Sequence, residues 1–289
     1  MTAWAEINKK MKSIWDEFIY GGHLLSFGLM CMVLLSAILL DVKISFEFLA
    51  VIYLLTLGPC LFGRYVDLRS DALTNPERSR YLSKKANRIP YMIAICIVVI
   101  VSILTYGHKP MMVLFGIGLI LLSFFYDLFL KGITKKIIGF KNIFVGLLFS
   151  LLIVMMGLYY DIQFNLSFLL VFIFIFIMTA MGAAFSDIKD IKSDKEEGLK
   201  TLAIVLGHKR LIDYLLLTIL LSLMPIFIGV YIGLLPVYAL MLTLVLPYNM
   251  FLFNESFREN KNSDFLYAVL FDSQLILWLV FILAGKVLT

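Results

Sequence analysis

Charge is scarce in this chain. Only 16% of its 289 residues are Asp, Glu, Lys or Arg, against 62% hydrophobic, and the mean hydropathy is +0.97. A soluble domain of this length does not need so much apolar surface, so the composition reads as a multi-span membrane protein. Cysteine is almost as rare. Cys31, Cys60 and Cys96 fall in apolar runs without paired spacing, which argues against a disulfide framework or a zinc site and for small core residues. The three histidines, His23, His108 and His208, are scattered and form no metal-ligand pattern. The first 18 residues, MTAWAEINKKMKSIWDEF, are too polar and acidic for a signal peptide, and no small-residue cleavage site follows. Repeats, low-complexity tracts and flexible linkers are missing too. A single helical bundle in a lipid bilayer is expected, without a nucleic-acid partner.

What is present is apolar sequence in span-length blocks. Residues 1–20 read as an amphipathic interfacial segment, with Trp4, Ile7, Met11, Trp15 and Phe18 at offsets of three or four. Residues 21–289 hold nine runs near the roughly 20 residues that a bilayer crossing needs. They are placed at Gly21–Leu40, Phe46–Val66, Ile89–Tyr106, Met111–Leu130, Asn142–Tyr159, Leu166–Phe185, Leu211–Ile232, Leu235–Phe253 and Tyr267–Lys286. Pro59 and Pro247 are expected to kink the second and eighth. The N-terminal segment and the connections after spans two, four, six and eight carry 22 of the 25 Lys and Arg residues; Lys43, Lys109 and Lys286 are the exceptions. That asymmetry predicts a cytoplasmic N-terminus.

The stretch FSDIKDIKSDKEEGLKTLAIVLG follows the sixth run. Asp187, Asp190 and Asp194 are offset by three and seven, which puts them on one helical face. Carboxylates converging at a membrane surface suit Mg2+, a hard cation that takes oxygen ligands and shares substrate phosphates. A single DxxD is more often a solvated loop. A second acidic cluster at the end of the second span makes an accident less plausible. It reads GRYVDLRSDALTNPERSRYLSKK, with Asp67 and Asp71 four apart, then Asn75, Pro76 and Arg78. Pro76 should end that helix near Thr74 or Asn75. A third polar region, YDLFLKGITKKIIGFKN, follows the fourth span and holds Tyr126, Asp127, Lys131, Lys141 and Asn142.

These residues resemble the UbiA superfamily of intramembrane prenyltransferases. Asp187, Asp190, Asp194, Gly198, Thr201, Leu202 and Gly207 keep the register of its second aspartate-rich motif, and Asp67, Asp71, Asn75, Pro76 and Arg78 fit its first. The Tyr126, Lys131 and Asn142 region resembles the family's segment between helices four and five. One departure is evident: Gly63-Arg64 stands where the first motif usually opens with Asn-Asp. Arg64 cannot bind a metal, and either contacts diphosphate directly or marks an altered metal site.

The resemblance implies an all-α integral membrane protein, with nine transmembrane helices in a UbiA-like bundle. It implies Mg2+-dependent transfer of a polyprenyl group from a prenyl diphosphate donor to a lipophilic acceptor, aromatic or lipid, with release of pyrophosphate. Metal and catalytic roles then go to Asp67, Asp71, Asp187, Asp190 and Asp194. Contacts to the diphosphate substrate, or places in its cavity, go to Arg64, Asn75, Arg78, Tyr126, Lys131, Asn142 and Lys189. Two other readings stay open: a UbiA-like terpene cyclase acting on the diphosphate alone, and a non-catalytic isoprenoid-binding membrane protein. A transporter is disfavoured because the acids sit at one aqueous face and not at the midplane. Asp272, inside the ninth span, is either an acceptor-side group or a structural hydrogen-bonding residue. The expected location is a prokaryotic plasma membrane, with the active site facing the cytoplasm.

Overall fold

The computed structural model describes residues 3–107, 109–258 and 265–289, with side chains from residue 6 onward. His108, Lys261 and the Trp4 side chain lie outside the described residues. Every regular element among the described residues is helical. Helix α1 spans Ala3–Tyr20, α2 His23–Leu39, α3 Phe46–Val66, α4 Leu68–Thr74, α5 Pro76–Ser83, α6 Ile89–Tyr106 and α7 Pro110–Leu128. A 3-10 segment, Leu130–Lys135, leads into α8 (Phe140–Tyr159), α9 (Leu166–Glu196) and α10 (Leu202–Tyr231). A second 3-10 segment (Val237–Leu244) continues as α11 (Val245–Ser256), and a π-helical turn (Leu266–Phe271) as α12 (Asp272–Leu288).

Eight helical segments among the described residues are long and apolar enough to cross a bilayer. A ninth is reached if α1 and the 17-residue α2, bent 56° from each other, count together as one broken span. The spans are apolar on their outer faces as well as inside: Val98, Leu114 and Leu217 are exposed, while Met32, Phe48, Phe174 and Trp278 are buried. A helix apolar all round belongs in lipid, and this is an integral membrane protein. The core runs continuously through α2, α3, α8, α9, α10 and α12, and the ring closes where α12 packs on α2.

Local chemistry accounts for the ends. Ser45 caps α3 by accepting from the Phe48 amide at 3.3 Å, and Asn165 caps α9 through Phe168 at 3.1 Å. Three boundaries differ from the sequence expectation. The sixth span does not stop at Phe185 but runs unbroken to Glu196, because the motif continues the helix beyond its apolar part. The seventh starts at Leu202 and is interrupted at Gly207. The eighth opens as a 3-10 segment and becomes α-helical just before Pro247, whose ring cannot follow a helical turn without strain.

Gly207 has φ 74° and ψ 163°, a conformation open essentially only to glycine. A Cβ there would meet nothing within 4 Å among the described residues, so the constraint lies in the backbone. Gly207→Ala is expected to lower stability by about 1–3 kcal/mol. An unchanged melting temperature in detergent would contradict this.

Candidate active site

Four helix ends converge at one end of the bundle. Helix α3 stops at Val66, and Asp67 forms the joint to α4. The turn-by-turn bonding survives the joint: the Asp67 amide donates to Gly63 at 2.9 Å, Asp71 to Asp67 at 2.8 Å and Asn75 to Asp71 at 2.7 Å. Asp67 and Asp71 therefore keep a common face even though the helix is interrupted. Pro76 then opens α5, as expected of a residue that favours the first helical turn.

The two aspartate-bearing segments are joined directly. Asp190 on α9 accepts from Thr74 Oγ1 and from Asn75 Nδ2, both at 3.1 Å. Lys189 Nζ donates to Asn75 Oδ1 at 3.2 Å and lies 3.6 Å from Asp190. Arg78 makes a forked pair with Asp71, at 2.5 and 2.9 Å. Burial opposes the Arg78 charge, yet Asp71 holds the guanidinium above its ordinary pKa. Lys131, after α7, bridges Asp67 at 2.8 Å and Glu197 at 3.0 Å. Burial opposes that charge too, and the two carboxylates more than offset it, so the ammonium pKa is raised. The Lys200 amide donates to Thr134 O at 3.0 Å, which ties the chain after α9 to the turn after α7.

These groups rim a cavity of about 300 Å³. Arg64, Asp67, Asp71, Arg78, Tyr126, Asp127, Lys131, Lys141, Asp190, Asp194 and Glu197 line its polar part. Leu25, Leu29, Leu55, Leu119, Leu148 and Leu152 line the apolar remainder. Of the residues selected from sequence, Asn75 and Lys189 stand behind this lining and hold Asp190, and Asn142 stands outside it and holds Asp187. Asp187 also departs from the expected set. It turns toward an adjoining cavity, with Oδ1 at 2.6 Å from Lys141 Nζ and Oδ2 accepting from Asn142 at 3.0 Å. Arg64 reaches the cavity wall, but its Nη1 donates to the Ile19 and Tyr20 carbonyls at 3.0 and 2.8 Å, anchoring the end of α1. Tyr126 stacks on Phe144, with ring centroids 4.6 Å apart.

Sequence reading gave no role to Asp127 or Glu197. Asp127 faces the place where the first motif departs from the family pattern: a Cβ on Gly63 would lie 3.1 Å from Asp127 Oδ2. Its position four residues before Lys131, in the last turn of the fourth span, was the available signal. Six carboxylates and four cations line the cavity, which leaves two excess formal negative charges. Asp194 Oδ2 is buried with no hydrogen-bond partner among the described residues. No three acidic, His or Cys side chains converge to a ready metal cage among the described residues. Mg2+ ordinarily uses one or two carboxylates and fills its shell with water and phosphate.

The model of the UbiA prenyltransferase family matches residues 24–283. The chain belongs to this family. No curated protein matches it in sequence. The UbiA fold recurs in solved structures of low identity. An apo UbiA homologue from Aeropyrum pernix K1 superposes with a TM-score of 0.66 at 15% identity, covering 91% of this chain and 97% of that one. A UbiA homologue from Archaeoglobus fulgidus bound to GPP and Mg2+ gives 0.63 at 13% identity, covering 92% and 99%. A structure described as digeranylgeranylglyceryl phosphate synthase gives 0.57 at 15% identity, covering 97% and 98%.

Proposed function

We propose that this UbiA family member transfers a prenyl group from a prenyl diphosphate to a lipophilic acceptor and releases pyrophosphate, with Mg2+ as cofactor. One observation carries the reading: two aspartate-bearing helix ends, joined through Asp190, Thr74 and Asn75, rim a cavity whose depth is apolar. A diphosphate belongs at such a rim and a prenyl chain in such a depth. The A. fulgidus homologues bound to GPP or DMAPP with Mg2+ support this pairing of ligands.

One or two carboxylates at a time from Asp67, Asp71, Asp190 and Asp194 would hold the metal, with Asp127 in place of the carboxylate that Gly63-Arg64 lacks. Bound there, Mg2+ would offset the negative charge that grows on the departing pyrophosphate. Arg78 and Lys131 are already fixed by carboxylates, so they present cationic N–H groups to that charge without reorganisation. The apolar walls exclude water from the allylic centre left by C–O cleavage. An adjoining cavity with polar side chains favours transfer to an acceptor over cyclisation of the prenyl chain on itself.

The lysine and arginine asymmetry supports a rim that opens to the cytoplasm. Helix α1 then lies along the membrane surface, since Ile7, Met11, Ile14 and Trp15 are exposed on it. Pyrophosphate release from a panel of prenyl diphosphates tests the chemistry, with and without a chelator. Release is expected only with Mg2+. Asp127→Asn is expected to raise the Mg2+ requirement about tenfold or more, the scale at which groups around a metal act. Mn2+ titration followed by electron paramagnetic resonance should show the same weakening without turnover. Chelator-insensitive release would contradict the metal role, and unchanged Mn2+ affinity in Asp127→Asn would remove Asp127 from the metal site.

A further inference from the structure

The apolar depth of the first cavity has a floor. Its innermost lining residues on α2, α3, α7 and α8 are Leu29, Leu55, Leu119 and Leu152, only 1, 3, 7 and 3% exposed. Buried side chains close the space behind them. A Cβ on Gly116 of α7 would meet Met155 Cε at 3.7 Å, Leu55 Cδ1 at 3.8 Å and Leu104 Cδ1 at 3.9 Å. Side chains of α8, α3 and α6 thus converge on one point of α7, about one turn beyond Leu119. Met32, Ile52 and Met156 are fully buried and extend this layer on α2, α3 and α8. Each lies three or four residues past a lining leucine, on the same helical face.

We propose that this floor selects the donor by length: the cavity takes a prenyl diphosphate of two isoprene units and excludes one of four. The inference rests on a prenyl diphosphate as the donor. From rim to floor the lining runs from Asp127 to Leu119 on α7 and from Lys141 to Leu152 on α8. At about 1.5 Å per residue those stretches rise about 12 and 17 Å. An extended isoprene unit adds four main-chain carbons, about 5 Å at ordinary C–C lengths and angles. Two units therefore fit above the floor, whereas four, about 20 Å long, overrun it. Volume agrees. A cavity of about 150 Å³ holds benzene. One of about 300 Å³, shared with a diphosphate at its rim, holds ten prenyl carbons and not twenty. The adjoining cavity behind Val145 and Phe149 gives the chain no apolar continuation, because Lys141, Asp187 and Asp272 line it.

Calorimetric titration of the protein in nanodiscs with Mg2+, corrected with empty nanodiscs, tests the length limit. The probes are thiolodiphosphates, in which sulfur replaces the oxygen on C1 and slows release. Geranyl thiolodiphosphate is expected to bind at least about tenfold more tightly than geranylgeranyl thiolodiphosphate. Apolar burial without a floor would favour the longer chain, so the order is diagnostic. Leu55→Ala lowers the floor and is expected to shrink the ratio of the two affinities about tenfold. Comparing ratios between variants in one lipid also cancels the partitioning of each probe. Ser123 lines the cavity about one turn nearer the rim than Leu119. Ser123→Phe raises the floor there and is expected to weaken the geranyl probe at least about tenfold more than its one-unit dimethylallyl analogue. A general packing defect would weaken all probes alike. Melting temperatures check that the variants fold, and Leu152→Ala replaces Leu55→Ala if the latter does not. Equal affinity for the geranyl and geranylgeranyl probes, or ratios that neither variant moves, overturns the length limit and leaves the donor reading in place. Failure of every probe to bind, with no pyrophosphate released from any prenyl diphosphate, overturns the donor reading and the length limit with it.

Discussion

Asp190→Asn is expected to lower Mg2+-dependent pyrophosphate release by about 100- to 1000-fold, the cost of removing one preorganised electrostatic stabiliser. The substitution keeps the shape and an oxygen at Oδ1, so Thr74 and Asn75 can still donate to it. What disappears is a negative charge at the junction of the two aspartate-bearing segments. The folded structure should tolerate the change, with the melting temperature moving by only a few degrees, about 1 kcal/mol for a chain of this size. Asp190→Ala also removes the acceptor, which leaves Thr74, Asn75 and Lys189 without their shared partner, and should lose stability as well as activity. Activity in Asp190→Asn above a tenth of wild type would show that Asp190 serves the junction and not the chemistry.

The second large effect is on stability. Asp187 is fully buried, sits 2.6 Å from Lys141 and accepts from Asn142. Asp187→Ala leaves the Lys141 ammonium without its counter-charge, and breaking a buried pair from one side costs about 3–5 kcal/mol. The lower end is expected, because Lys141 borders both cavities and its side chain keeps 23% exposure. Replacing both partners with apolar residues behaves differently, because the desolvation cost of two charges disappears along with their attraction. The double variant Asp187→Leu with Lys141→Met should recover most of the lost stability. Its pyrophosphate release should stay low, since the cavity then lacks one of its four cations. Equal melting temperatures for wild type and Asp187→Ala would refute the pairing argument. A double variant as active as wild type would show that neither charge serves the reaction.

Membrane class, span positions and the two aspartate segments were legible without coordinates because each has a local cause. An apolar run of about 20 residues has one main physical use. Spacings of three, four and seven place side chains on one helical face wherever that helix goes. Pro76 stops a helix regardless of its neighbours. The span limits at Phe185 and Leu211 were misplaced for a related reason: hydropathy reports where lipid ends, whereas α9 continues through eleven more residues beyond Phe185 on its own hydrogen bonds.

Partnership between distant residues was not legible. Nothing local to Asp187 distinguishes it from Asp190 or Asp194, and all three lie on one helix. Packing of α8 against α9 gives Asp187 to Lys141 and Asn142, while α4 brings Thr74 and Asn75 to Asp190. Arg64 reads as a cation beside an aspartate motif, yet the end of α1 takes its guanidinium. Asp127 gains meaning only because Gly63, 64 residues earlier in the chain, leaves its carboxylate room. Gln274 and Trp278 look like ordinary members of a buried helix until the helix is placed and Gln274 Oε1 and Trp278 Nε1 find no partner among the described residues. The sequence by itself determined the elements, their lipid environment and the chemical character of each helix end. Tertiary structure alone decided which charges neutralise one another and which polar groups remain for a ligand, because pairing acts over a few ångströms of space and those distances exist only once the helices have packed.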